Sequence, residues 1–128
     1  MDYQQLREAY KALLERALAE YDSFSLLWSR TKGHLKENAS VLEWAALLEP
    51  YLIGEIKIKQ YRGLALKGGT AKQRLYRVCR ESVALLAKAD NVFEFSGLSA
   101  PEELTFYKDG KVAFRADAHE ESQEYFNV

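Results

Sequence analysis

The sequence predicts an α+β fold in which a mostly antiparallel sheet with a C-terminal bulged hairpin packs against three to four helices. Three observations lead to this class. Apolar residues recur every three or four positions near the N-terminus, apolar and polar residues alternate over 51–63, and an Asp-Gly turn separates two apolar runs near the C-terminus. The chain has 128 residues, 48% hydrophobic and 29% charged, which fits a single domain over 1–128.

The N-terminal part predicts a helix, a strand and a second helix. Apolar residues from Leu6 to Tyr21 form an amphipathic stripe, which predicts the first helix. Residues 24–28 are short, apolar and aromatic and predict a buried strand. A capping box over 40–43 predicts a short helix that ends at Leu48, before a proline.

The alternating segment 51–63 predicts a strand with one wet side. Ile56 and Ile58 share one face, while Lys57, Lys59 and Tyr61 share the other, wet face.

The middle of the chain contains the most regular apolar helical stripe in the sequence. A capping box over 70–73 precedes apolar residues that recur from Leu75 to Ala89, so we expect a helix there. Residues 92–95 are apolar and aromatic and predict another strand.

The C-terminal hairpin has two possible registers. A two-residue loop would pair Phe106 with Ala113, whereas a three-residue loop over 108–110, with Gly110 left-handed, would pair Phe106 with Val112. Only the second register places four large apolar side chains on one face, because a one-residue slip reverses the face of every side chain. We therefore predict the bulged hairpin with the longer loop.

A cluster of His119, Glu120 and Glu121 follows the hairpin and allows two interpretations. A histidine beside carboxylates can act as a general base or bind a metal, as in a small hydrolase or metal-dependent enzyme. Alternatively, Asp117 and Glu120 form a third capping box, and the acidic residues favour the positive end of a C-terminal helix. Capping explains the same residues without a cofactor or metal, so we predict neither.

Residues 63–70, GLALKGGT, nearly match a phosphate-binding loop. Gly69 occupies the position of the lysine that contacts the terminal phosphates, which argues against nucleotide binding. A weaker anion site on Lys67, Gly68, Gly69 and Thr70 at a helix N-terminus is the alternative to a plain flexible connection.

Charge is unevenly distributed although the net charge is −1. Residues 55–80 contain eight basic residues against one acid, so anion or nucleic-acid binding through 57–80 is a further alternative. The near-zero total and the absence of a nucleic-acid-binding motif argue against it. One cysteine excludes an intramolecular disulfide, and no run of 18 apolar residues occurs, so we expect a cytoplasmic protein that does not contact a membrane.

Residues 101–121, with 23–28 and 48–53, resemble a group of small bacterial proteins of unknown function, some of which carry the name stage III sporulation protein AH-like. The shared pattern is Pro-acid-acid-Leu, then an aromatic hairpin, then His-Glu. The resemblance implies a single α+β domain and no particular mechanism.

The leading hypothesis is a non-enzymatic binding or regulatory domain whose partner is another protein, of which a toxin-neutralising immunity protein would be one form. Eight of the 128 residues are tyrosine, and amphipathic rings suit protein interfaces. The predicted binding surface is the wet face of the sheet, with Lys57, Lys59, Tyr61 and Tyr107.

Overall fold

Six antiparallel strands form the main sheet, and the helices of the described chain cover one of its faces. The computed structural model describes residues 2–30, 39–58, 60–61, 64–65, 70–96, 100–118 and 120–128. In chain order the elements are α1 (Tyr3–Glu20), β1 (Ser23–Arg30), α2 (Ala39–Leu48), β2 (Leu52–Ile58), β3 (Gln60–Tyr61), β4 (Leu64–Ala65), β5 (Thr70–Arg77), α3 (Arg80–Leu86), β6 (Glu102–Lys108), β7 (Lys111–Asp117) and β8 (Ser122–Tyr125). The strand order is β2-β5-β1-β6-β7-β8, and β3 and β4 form a separate two-stranded ribbon. The predicted α+β class, with an antiparallel sheet and a C-terminal hairpin, is confirmed.

Helix α1 forms where the apolar stripe predicted it. Asp2 caps the helix, because its carboxylate accepts a hydrogen bond from Gln5 N at 2.8 Å and Gln5 returns one to Asp2 N. Tyr10, Leu13, Leu14 and Ala17 of this stripe are buried, whereas Leu18 is 49% exposed. Tyr10 donates its hydroxyl hydrogen to the carbonyl of Leu86 in α3. Helix α1 is thereby joined to α3 above the sheet.

The core is rich in aromatic side chains that point from the sheet toward the helices. Phe24, Tyr76, Phe106 and Phe114 come from four different strands and have no more than 1% of their surface exposed. The rings of Phe24 and Tyr76 stack with centroids 5.3 Å apart, and Phe106 contacts Phe24 at 5.8 Å. Burying a side chain of this size stabilises the fold by roughly 1.5–3 kcal/mol.

The helix predicted from residue 70 is wrong over its first half. Thr70–Arg77 is strand β5, and α3 begins only at Arg80, after Ser82 Oγ accepts a hydrogen bond from Cys79 N at 3.0 Å. β5 lies between β1 and β2, and eight of its residues pair with β1. This two-sided pairing outweighs the helix propensity of Ala, Lys, Gln and Arg in the segment.

The strand predicted over 92–95 is also wrong. Val92–Glu94 is a 3₁₀ turn, since Asn91 accepts a hydrogen bond from Phe93 N at 2.9 Å and Glu94 accepts one from Asn91 N at 3.0 Å. Local capping therefore decides the conformation of this short apolar run.

The C-terminal hairpin is bulged, but the predicted register is wrong. Asp109 and Gly110 form a two-residue loop with φ of 52° and 79°, between the paired residues Lys108 and Lys111. Two positive φ values match the twist of the flanking strands. The extra residue is Ala113, so that Phe106 pairs with Phe114 and both remain in the core.

The predicted C-terminal helix is absent, and β8 occupies its place beside β7. Asp117 still accepts the hydrogen bond of a cap, from Glu120 N at 3.1 Å. In the structure this bond closes a turn in which Glu121 has φ of 49°, and the chain then pairs with β7. The edge of β7 thus supplies the backbone partners that the predicted helix would have supplied internally.

Two further strands carry bulges. Ile53 is an extra residue in β2, between the pairs that Leu52 and Gly54 make with β5. In β6, two residues lie opposite one residue of β1, and Glu103 at this point is buried with φ of 59°. Each bulge changes which side chains reach the helix-covered face.

Candidate protein-binding face

The second face of the main sheet is not packed against any helix of the described chain. We call it the open face, and directly paired residues identify its members, because opposite residues in an antiparallel pair point to the same side. These members include Ser23, Ser25, Leu27, Gly54, Ile56, Ile58, Gln73, Leu75, Arg77, Glu102, Thr105, Tyr107, Val112, Arg115 and Glu124. Ser23, Ser25, Leu27 and Thr105, in the central strands, are buried, so the accessible part of this face lies toward its two ends.

The bulge at Ile53 determines which side of β2 belongs to the open face. Leu52 lies opposite the core residue Tyr76, and simple alternation would place Ile56 and Ile58 on the same side. The extra residue reverses the phase, so Ile56 lies opposite Gln73 on the open face. The predicted wet side of this strand is therefore wrong: its isoleucines, not its lysines, belong to the open face.

Apolar surface is concentrated at the β2 end of the open face. Ile56 has 58% of its surface exposed, and its neighbours Ile58 and Leu75 are half-buried. Leu75 lies diagonally across from Ile56, a separation of roughly 7–8 Å between Cα atoms in antiparallel sheets. These three side chains form one apolar strip.

Hydrogen-bonding side chains occupy the centre of the open face. The hydroxyl of Tyr107 lies 2.8 Å from Ser25 Oγ, and Gln73 Nε2 lies 3.4 Å from both oxygens. Tyr107 therefore lies over Ser25, which is 2% exposed. A catalytic serine needs an adjacent base, and the side chains that contact Ser25 in the described chain are a phenol and an amide. Both of these groups can donate and accept hydrogen bonds.

The edge of the open face near the C-terminus carries a cation beside an aromatic ring. The guanidinium of Arg115 lies 5.2 Å from the ring centre of Phe126. Arg115 also pairs with Glu124 across β7 and β8. This end of the face is consequently more polar than the β2 end.

The basic segment is partly neutralised on the helix-covered side of the sheet. Glu55 Oε1 accepts a hydrogen bond from Arg74 Nε at 3.2 Å and lies 3.7 Å from Lys72 Nζ. The hydrogen bond from Arg74 lowers the pKa of Glu55 below its ordinary value. Arg74 also lies over the Trp28 ring at 4.9 Å, so part of the predicted basic surface packs within the fold.

The four residues predicted as a binding surface do not form one patch. Tyr107 lies on the open face, whereas Lys57 pairs with Lys72 on the opposite face of the sheet. Tyr61 belongs to the separate strand β3, and Lys59 lies outside the described residues.

The candidate anion site loses the helix on which it depended. Thr70 is the first residue of strand β5, so the loop before it does not lead into a helix N-terminus. Lys67, Gly68 and Gly69 lie outside the described residues.

The histidine cluster is described only in part. His119 lies outside the described residues, while Glu120 and Glu121 are exposed in the turn before β8. Within the described ranges, no three His, Cys, Asp or Glu side chains are grouped to hold a metal ion. The catalytic interpretation of the cluster stays a prediction.

A groove of about 240 Å³ lies on the helix-covered side, beside α2 and the turn before β6. Its lining residues are Ser40, Glu43, Trp44, Leu47, Lys88, Ala89, Glu94 and Ala100. Glu94 is already engaged by the backbone N–H groups of Asp90 and Asn91, so it serves the local turn rather than a ligand. The groove is therefore a weaker candidate than the open face.

Comparison with protein-family models, with curated proteins and with solved structures finds no match for this chain. The resemblance to sporulation-protein-like sequences consequently stays an expectation. No helix in the described part of the chain has the length and apolar character needed to cross a bilayer.

Proposed function

We propose that this chain is a non-enzymatic domain that binds another protein through the open face of its sheet. The proposal rests mainly on the apolar strip of Ile56, which is exposed, and Ile58 and Leu75, which are half-buried. Single exposed apolar residues are ordinary on protein surfaces, but contiguous ones favour an interface. Here the three belong to adjacent paired strands on a face that no described helix covers.

Tyr107 adds specificity to this apolar surface. Its hydroxyl is fixed by Ser25, so the ring loses little conformational freedom when a partner covers it. Tyrosine is enriched at protein interfaces because it combines an apolar ring with a hydrogen-bonding group. The partner that fits this face would bring apolar side chains to Leu75 and a hydrogen-bonding group to the Tyr107 and Gln73 side chains.

A matched pair of charge substitutions tests the proposal. Leu75→Glu places a carboxylate on the open face, and Leu18→Glu places the same group on α1, where Leu18 is 49% exposed. Immobilised wild-type chain and both variants are incubated with native lysate, and the recovered proteins are identified and quantified by mass spectrometry. Circular dichroism first confirms that the variants are folded.

We expect a protein recovered at stoichiometric yield by the wild type and Leu18→Glu, and at least about tenfold weaker binding by Leu75→Glu, the effect of losing roughly 1.4 kcal/mol. The recovered protein is then purified and titrated against Tyr107→Ala, which should also bind more weakly. Absence of a stoichiometric partner, or equal recovery by all three chains, would contradict the proposal.

A further inference from the structure

Strand β2 forms one outer edge of the six-stranded sheet and, within the described ranges, pairs with β5 alone. An edge strand presents unpaired N–H and C=O groups, and natural proteins usually shorten, bend or charge such an edge to prevent further pairing. β2 has seven residues and carries two of these features, the bulge at Ile53 and the charges of Glu55 and Lys57. From Gly54 to Ile58 it is nevertheless regularly paired with β5, and Ile56 is 58% exposed. Its outer edge is therefore a template for a strand whose charges are complementary.

We propose that β2 pairs antiparallel with β2 of a second copy of this chain, with Ile56 opposite Ile56 across a two-fold axis. The two sheets then join into one. This inference concerns the sheet edge and does not depend on which protein binds the open face.

Charge selects this register among the alternatives. With Ile56 opposite its copy, Glu55 lies opposite Lys57 of the second copy, and the two-fold axis repeats this pair. A shift of two residues in one direction places Glu55 opposite Glu55, and a shift in the other direction places Lys57 opposite Lys57. Opposite charges stabilise a cross-strand pair, and like charges destabilise it.

Glu55 is placed to form this contact. Its bonds to Arg74 and Lys72 both use Oε1, and they approach from β5, the inner neighbour of β2. Lys57 of the second copy approaches from the opposite, outer side. In this register the carboxylate is shared between the two sheets.

The apolar residues of the open face also match in this register. Residues that lie opposite each other point to the same side, so the two open faces are continuous. Ile58 of one copy lies opposite Gly54 of the other, and a Cβ built on Gly54 would have no atom within 4 Å. A large side chain across from a strand glycine covers its exposed backbone. Pairing therefore merges the two apolar strips into one.

Charge reversal distinguishes this register from any other association. Sedimentation equilibrium should give twice the 14.7 kDa chain mass for the wild type at roughly 100 µM, since small interfaces of this type give modest affinity. With Glu55→Lys alone, the new lysine lies opposite Lys57 of the second copy. With Lys57→Glu alone, the new glutamate lies opposite Glu55 of the second copy. Like charges then face each other in both variants, so each should sediment as a monomer. An equimolar mixture of the two variants restores both opposite-charge pairs and should sediment as a dimer.

Glu15→Lys on the exposed surface of α1 is the matched control, and it should remain dimeric. Far-ultraviolet circular dichroism and thermal melting establish that each variant is folded. A wild-type chain that stays at the monomer mass overturns the proposal, and so does a dimer that both reversals leave intact. A mixture that fails to associate would overturn the register. If the backbone amides of β2 are protected from hydrogen exchange only in the presence of a different protein, that protein is the partner of the edge instead.

Discussion

Replacing Phe106 and Phe114 with leucine, singly and together, measures how strongly the two rings interact across β6 and β7. Both residues are fully buried and lie directly opposite each other, with ring centroids 6.3 Å apart and planes tilted by 56°. Each single change should lower the free energy of unfolding by about 1.5 kcal/mol, because it removes part of a packed ring. A tilted aromatic pair contributes a further 0.5–1.5 kcal/mol, roughly, beyond its buried area.

The double variant should therefore lose about 1 kcal/mol less than the sum of the single variants, because the pair contribution is removed only once. Urea unfolding followed by fluorescence measures all four free energies. The control cycle combines Phe106→Leu with Val112→Ala, which lies opposite Tyr107 on the other face and should be additive within about 0.5 kcal/mol. Coupling between Phe106 and Val112, with none between Phe106 and Phe114, would refute the register.

Three other changes test the turn, the helix contact and the start of β1. Gly110→Ala should lower the free energy of unfolding by about 1–2 kcal/mol, because φ of 79° is left-handed, and an unchanged urea midpoint would contradict the loop geometry. Burial raises the pKa of Tyr10 above 10.0, so the folded chain keeps this proton longer and its stabilisation is lost as pH rises beyond 10. Tyr10→Phe should lower the free energy of unfolding by about 1 kcal/mol at neutral pH, and it should reduce the fall in this free energy at alkaline pH. If the wild type and Tyr10→Phe lose stability in parallel as pH rises, ionisation of Tyr10 is not the cause of the loss. Asp22→Ala should lower the free energy of unfolding by about 1–2 kcal/mol, because the Asp22 carboxylate accepts a hydrogen bond from Asp109 N at 2.7 Å. Asp22→Asn keeps an oxygen acceptor, so chemical denaturation should show a smaller loss for it.

The local sequence pattern was sufficient to predict the secondary structure of α1, β1 and α2. The stripe of α1, the apolar run of β1 and the capping-box pattern over 40–43, inside the first turns of α2, each predicted an element that the structure contains. In these segments the sequence pattern and the burial agree, because every third or fourth residue of α1 faces the core and β1 is buried from Ser23 to Trp28.

The two wrongly predicted helices, at β5 and at β8, share one physical cause, the supply of backbone partners by distant strands. A capping box begins β5 and another precedes β8, and both segments contain good helix formers, yet each pairs with a neighbouring strand. A capping-box pattern indicates only that an Asp or Thr side chain can accept a hydrogen bond from a nearby backbone N–H, and Asp117 does so in a turn. Local sequence contains no information about which edge is available.

The candidate site was predictable only at Tyr107. Ser25 and Gln73 join it through contacts between residues 82 and 34 positions apart in the chain, which no local pattern signals. The apolar strip was missed because the bulge at Ile53 reverses the side of Ile56 and Ile58. A bulge depends on tertiary pairing, so the alternation alone predicted the opposite face.

The bulge in β2 also bears on how this protein can change over time. Loss of the single codon for Ile53 would remove the extra residue and leave the pairs on both sides of it unchanged, with Leu52 opposite Tyr76 and Ile56 opposite Gln73. Alternation would then be regular from Leu52 to Ile58, and both isoleucines would keep their outward position. Related lineages can accordingly lose this residue by one in-frame deletion without losing the apolar surface.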